Sequence, residues 1–206
     1  MPDAAALLLR AEALEFARNE ERLFGPLQLH VNEGEALLVE GQNGCGKTTL
    51  LRVLAGLLSG ASGEIWRAPI EQAGPPLFLG HLLGLKGELS VEENLDYARR
   101  LQGGRAGASV AGCLEEVGLQ GLEDQPARTL SAGQRKRLGL ARMRLLPSKL
   151  WLLDEPFANL DLGGIALVNQ LVERHLAAGG GALITSHGAY ATGAYQTRTL
   201  PLGRIQ

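Results

Sequence analysis

Gly41-Gln42-Asn43-Gly44-Cys45-Gly46-Lys47-Thr48-Thr49 is the stretch of this 206-residue chain from which the fold is read. It fits G-x-x-x-x-G-K-[ST], a loop whose glycines let successive backbone N–H groups close around an anion. Before it, Ala36-Leu37-Leu38-Val39-Glu40 reads as a buried strand; after it, Thr49-Leu50-Leu51-Arg52-Val53-Leu54 opens a helix. In that setting Gly41, Asn43, Gly44, Cys45, Gly46, Lys47, Thr48 and Thr49 are the candidate phosphate-binding residues. The helix N-terminus adds its partial positive charge. Lys47 has the reach for β- and γ-phosphates, and the Thr48 hydroxyl suits a place on Mg²⁺.

A second signal lies far along the chain. Leu150-Trp151-Leu152-Leu153-Asp154-Glu155 is an apolar run ending in two carboxylates. A buried strand of this kind delivers its acids to the crevice where α/β sheets bind ligands. Asp154 is then the candidate metal holder, and Glu155 the base that orients a water for in-line attack on a γ-phosphate. Strand ends often finish in polar residues, but a phosphate loop upstream favours the functional reading. Leu130-Ser131-Ala132-Gly133-Gln134 begins another anion-ready helix, with Ser131 as N-cap and Gly133 leaving room for a phosphate. The basic run after it, Arg135-Lys136-Arg137, reads as a solvated helix face.

Composition sets the frame around these motifs. Hydrophobic residues make up 45% and charged residues 20%, as in ordinary globular proteins. Twenty basic residues against 22 acidic ones give a net charge of −2, so no global field draws nucleic acid or anionic lipid. No apolar stretch approaches the roughly 20 residues of a membrane span. The Met-Pro-Asp-Ala start lacks a signal peptide's basic flank despite the apolar Ala4–Leu9 run, so a cytoplasmic chain is expected. Cys45 and Cys113 form no disulfide framework, and the four histidines show no metal-ligand spacing with them. Cys113 reads as a small buried hydrophobe. Cys45 reads as a small residue tolerated between glycines; the sharper alternative is a thiol activated by the loop, whose alkylation blocks nucleotide access.

To about residue 80, short apolar runs alternate with turns: Leu27–Val31, Asn32–Glu35, Ala36–Glu40, then the loop helix, closed by Gly60–Gly63. Ser90, with Glu93 three residues on, marks a helix start; residues 91–101 and 109–118 carry helical spacing around Gly103–Gly107. Strand-like runs return at Leu150–Leu153 and Gly181–Thr185, around a helix over 163–178. The expectation is one domain, 1–206, with an α/β core of 1–80 and 147–206 and a helical insertion over 81–146.

In order, the phosphate loop, LSAGQ, LWLLDEP, Ala158-Asn159-Leu160-Asp161 and Thr185-Ser186-His187 resemble the ATP-binding-cassette (ABC) ATPase family over nearly the whole chain. The resemblance implies a P-loop NTPase fold, with a RecA-like core, an antiparallel β region and an inserted helical subdomain. It implies ATP and Mg²⁺, and a head-to-tail homodimer. Each ATP would sit between one subunit's phosphate loop and the other's Ser131, Gly133 and Gln134, with Asn159–Asp161 at the seam. Lys47, Glu155 and His187 would be catalytic, His187 contacting the γ-phosphate and supporting Glu155. Two positions depart from the family pattern. His81 stands where a glutamine is usual near Mg²⁺ and water, and Arg18 where an aromatic usually stacks on adenine; either Phe16 or Phe24 serves instead, or Arg18 stacks by its guanidinium plane.

Phe78–His81, Gly84–Lys86, Leu89–Leu95, LSAGQ-x-x-R and LWLLDEPFANLD further resemble the ATPase subunits of cytochrome c maturation haem-export systems. That likeness implies multi-span membrane permease subunits as partners and a peripheral place on the cytoplasmic face of the inner membrane. His30 and His175 read as surface or packing residues rather than haem ligands. Alternatives are the ATPase of another small-molecule exporter, or a soluble cassette ATPase acting on nucleic acid. For the latter the candidate helix, Arg135–Arg144, is short and the net charge negative, so no nucleic-acid partner is expected.

Overall fold

The computed structural model describes residues 6–158, 160–186 and 195–203. Two sheets organise it. In the first, β1 (Leu7–Arg18) lies between β2 (Glu21–Asn32) and β4 (Ser62–Arg67), antiparallel to both. The second is parallel: β3 (Ala36–Glu40), β5 (Leu77–Leu79), β6 (Leu150–Asp154), β7 (Gly181–Thr185) and β8 (Thr197–Pro201) run in the order β5-β6-β7-β3-β8.

The central strands are apolar at almost every position because both faces of the parallel sheet are covered. Alternate side chains serve opposite cores. Leu37, Val39, Leu150, Leu152 and Leu183 pack with the antiparallel sheet and α1 (Lys47–Leu54). Leu38, Trp151, Leu153, Ala182 and Ile184 pack with the helical layer: α3 (Val91–Gln102), α4 (Val110–Glu116), α5 (Ala132–Leu145) and α6 (Leu162–Ala177). A one-turn α2 (Ile70–Ala73) and a 3-10 turn at Ala127–Thr129 complete the elements. The helices of the insertion thus share one core with the sheet.

The expected helix starts are present. Ser90 and Glu93 form a capping box on α3, as Ser131 and Gln134 do on α5. Two expectations are corrected, and one strand is added. The loop helix ends at Leu54 rather than at Gly60–Gly63: Leu57 N–H bonds Arg52 O, Gly56 N–H bonds Val53 O, and Gly56 takes φ +75°, a Schellman stop. From Leu7 onward the apolar run near the N-terminus belongs to the long strand β1, which the sequence reading leaves out. Register shifts near Ala11, Leu14 and Phe16 interrupt the alternation by which such a strand is recognised. The basic run is not a solvated face either. Arg135, Lys136, Arg137 and Arg142 donate to the carbonyls of Leu130, Glu155, Val117 and Gly84, and Arg144 pairs with Glu116. Among the described residues, no helix is long and apolar enough to cross a membrane.

Candidate nucleotide site

The loop after β3 turns into α1 at Gly46, whose φ of +101° only glycine adopts without strain. The first turn of α1 holds no acidic side chain, so its exposed N–H groups keep their positive character. Lys47 is only 6% exposed; its Nζ donates to Gly41 O at 2.6 Å and Gln42 O at 3.2 Å, curling back across the loop. Thr48 Oγ1 lies 3.1 and 2.8 Å from the two carboxylate oxygens of Asp154.

Strand register explains how residues so far apart meet. Asp154 on β6 sits level with Thr185 on β7, which is level with Val39 on β3, the strand that feeds the loop. Thr185 Oγ1 donates to Asp154 Oδ1 at 2.9 Å and accepts from Glu155 N–H at 2.9 Å. One hydroxyl therefore fixes both acids. Sequence reasoning placed Thr185 only inside a motif; its polar side chain in an otherwise apolar buried strand was the available signal.

A cleft of about 460 Å³ opens over this network, and Arg18, Asn43, Gly44, Gly46, Lys47, Thr48, Thr49, His81 and Glu155 all line it. Leu23, which sequence reasoning missed, lines it too. Two of the candidate phosphate-binding residues do not. A side chain at Gly41 would lie 2.4 Å from Leu202 O and 2.6 Å from Cys45 Sγ, so this glycine serves close packing beneath the loop. Cys45 is buried among the apolar residues of the core and its N–H donates to Gln42 O, so its thiol is not presented to the cleft. Phe16 and Phe24 are also excluded as adenine stackers. They face each other across the β1–β2 pair with ring centroids 6.0 Å apart, both buried.

Ser131, Gly133 and Gln134 lie elsewhere, lining an open hollow of about 520 Å³ with Gly118, Arg137, Leu160 and Asp161. Among the described residues it has no lining residue in common with the loop cleft. Beyond its own turn of helix, no described heavy atom comes within 4 Å of where a Gly133 side chain would begin. Arg137 lies 3.9 Å from Asp161, the N-cap of α6, joining the helix to the Leu160–Asp161 segment. Asn159 and His187 fall outside the described residues.

Thr48 and Asp154 offer oxygen donors of the kind a hard divalent cation takes, and no group of three metal-ligating side chains occurs among the described residues. That donor set suits an ion completed by phosphate and water rather than an all-protein cage. The imidazole of His81 belongs to a softer ligand class and fits a water-mediated role.

A glycine-rich loop at the end of a parallel strand, with a threonine and a carboxylate joined beneath it, defines a P-loop nucleoside triphosphatase. The ABC transporter family model matches residues 24–158, and the chain belongs to that family as one of its ATP-binding ATPases. It is 56% identical over 200 residues to the "Cytochrome c biogenesis ATP-binding export protein CcmA" of Xanthomonas campestris, covering 95% of this chain and 94% of that protein. With the protein of the same name from Methylococcus capsulatus it shares 51% over 189 residues, 88% of this chain and 91% of the relative. A solved structure of an ATP-binding subunit of an ABC transporter superposes with a TM-score of 0.82 at 23% identity, covering 95% of this chain and 85% of that one. That likeness is one of fold.

Proposed function

We propose that this chain is the ATP-hydrolysing subunit of a membrane export complex that serves cytochrome c biogenesis. The observation carrying the reading is the 56% identity with the Xanthomonas protein along nearly its whole length. The chain works as a homodimer, peripheral to the cytoplasmic face of the inner membrane, with multi-span permease subunits as partners. Two lining surfaces on opposite motifs support the dimer, because a loop cleft and a Ser131–Gln134 surface that do not meet within one chain can meet between two.

Lys47 leaves the loop carbonyls for the β- and γ-phosphates, and loop N–H groups hold the phosphate oxygens. Thr48 and Asp154 would hold Mg²⁺, which would offset the charge of the terminal phosphates. Glu155 takes a proton from a water aligned with the γ-phosphate, and ADP and phosphate are the products. His187 contacts the γ-phosphate and supports Glu155; His81 orders water at the cleft; Arg18 lies flat on the base through its guanidinium plane.

The deciding experiment is haem staining of c-type cytochromes in the native host with Glu155→Gln as the only copy. Loss of covalent haem while cytochrome polypeptides are still exported supports the assignment. Normal staining with an inactive mutant protein leaves the ATPase and moves it to another exporter.

A further inference from the structure

Lys136 is buried to 8% exposure inside α5, five residues beyond the Ser131 cap, and its Nζ donates to the backbone carbonyl of Glu155 at 2.7 Å. Burial lowers its pKa, against the raising pull of Asp154 and Glu155. The Glu155 peptide is itself unusual. Glu155 adopts φ +50°, a left-handed conformation costly for a side-chain-bearing residue, immediately before Pro156. Its N–H is held by Thr185 Oγ1 at 2.9 Å, and its carbonyl by Lys136 and by Ala158 N–H at 3.2 Å.

A turn needs only the Ala158 N–H to close it. Placing an ammonium there as well costs desolvation that an apolar residue would avoid. The cation sits where it can hold a strained peptide from the carbonyl side while Thr185 holds it from the amide side. The helix it comes from begins at Ser131, Gly133 and Gln134.

We propose that Lys136 is a positioning residue: it fixes the backbone of Glu155 so that the carboxylate faces the cleft, and it makes that placement depend on the seat of α5. This rests on the role given to Glu155 under the proposed function. Through this contact the helix that meets a nucleotide at its N-terminus reports to the hydrolytic carboxylate of its own chain, joining the two composite sites of a dimer.

The test uses the purified full chain, with ATP affinity, kcat and KM measured at a temperature well below each variant's own melting midpoint. Lys136→Met keeps the length and removes the donor. Its kcat is expected to fall about 30-fold, the usual cost of one lost charge-assisted bond expressed as a rate, with ATP affinity and KM within about twofold. Lys136→Gln keeps a donor on a shorter arm and is expected between the two, roughly three- to tenfold below wild type. A folded Lys136→Met with wild-type kcat, a loss carried by KM, or a Lys136→Gln as slow as Lys136→Met overturns the proposal. If Lys136→Met cannot be obtained folded, Lys136→Gln decides alone: wild-type kcat overturns the proposal, and the intermediate kcat with unchanged KM supports it. Glu155→Gln run alongside separates the layers. Full turnover there removes the assignment of Glu155; a dead Glu155→Gln beside an intact Lys136→Met removes only that of Lys136.

Discussion

The loop cleft and the Ser131–Gln134 surface each carry a sequence motif, yet they are built differently. Around the cleft, Lys47, Thr48, Asp154 and Thr185 are buried or half-buried and bonded to one another or to the loop, so the polar groups are in place before any ligand arrives. On the other surface the side chains of Ser131 and Gln134 bond each other's backbone in their capping box, and Gly133 faces open space among the described residues. The first is furnished from within one chain. The second is an open helix end, the form that half of the proposed dimer's shared site would take. A preorganised site tolerates little change inside it, whereas an open helix end tolerates change until its partner is present.

Four substitutions break or sharpen that contrast. The largest effect is expected from Glu155→Gln: steady-state turnover falls by about 10³-fold while ATP binding persists, and ATP drives the variant into dimers visible by sedimentation. Dimers that fail to form would detach the second surface from the first. Lys47→Ala removes the ammonium from the loop and should weaken ATP affinity by about 100-fold in a titration with the purified chain. Gly133→Asp is the sharpest discriminator. The fold has room for it, so ATP affinity at the loop should stay within about twofold, while a carboxylate opposed to phosphate lowers turnover at least about tenfold. An equal loss of affinity and turnover would mean the two surfaces are not separate.

The smallest effect concerns the scaffold below both. His175 is buried in α6, stacked on Trp151 with centroids 3.9 Å apart, and its Nε2 lies 3.1 Å from Lys149 O. Burial, aided by Arg105, lowers its pKa to about 3 from 6.5. Because the folded state holds it neutral and the unfolded state does not, its contribution is complete above pH 6.5 and is lost as pH falls towards 3. Between pH 7 and pH 5 this amounts to about 2 kcal/mol. Urea midpoints at the two pH values should therefore diverge less in His175→Leu than in wild type; parallel slopes would show that another group titrates.

Much of this was legible from residue order. The strand–loop–helix of residues 36–54, the acids after Leu153, and the Ser90 and Ser131 caps depend on local periodicity and side-chain chemistry, and all appear as read. What was not legible depends on partners distant in the chain. The strand β1 is hidden by bulges that only its pairing with β2 and β4 reveals. Phe16 and Phe24 look like available aromatics until cross-strand register turns them onto each other.

By itself the sequence marked Gly41–Thr49 as an anion cradle, because a glycine pattern, a lysine and a threonine define one wherever the backbone permits it. Only the tertiary structure decided that Cys45 faces the core, that Arg135–Arg144 is bound within the fold, and that Thr185 and Lys136 hold the Glu155 peptide from either side. Side-chain direction and long-range hydrogen bonding are set by which strands and helices become neighbours, and the parallel order β6-β7-β3 is not written in any one segment.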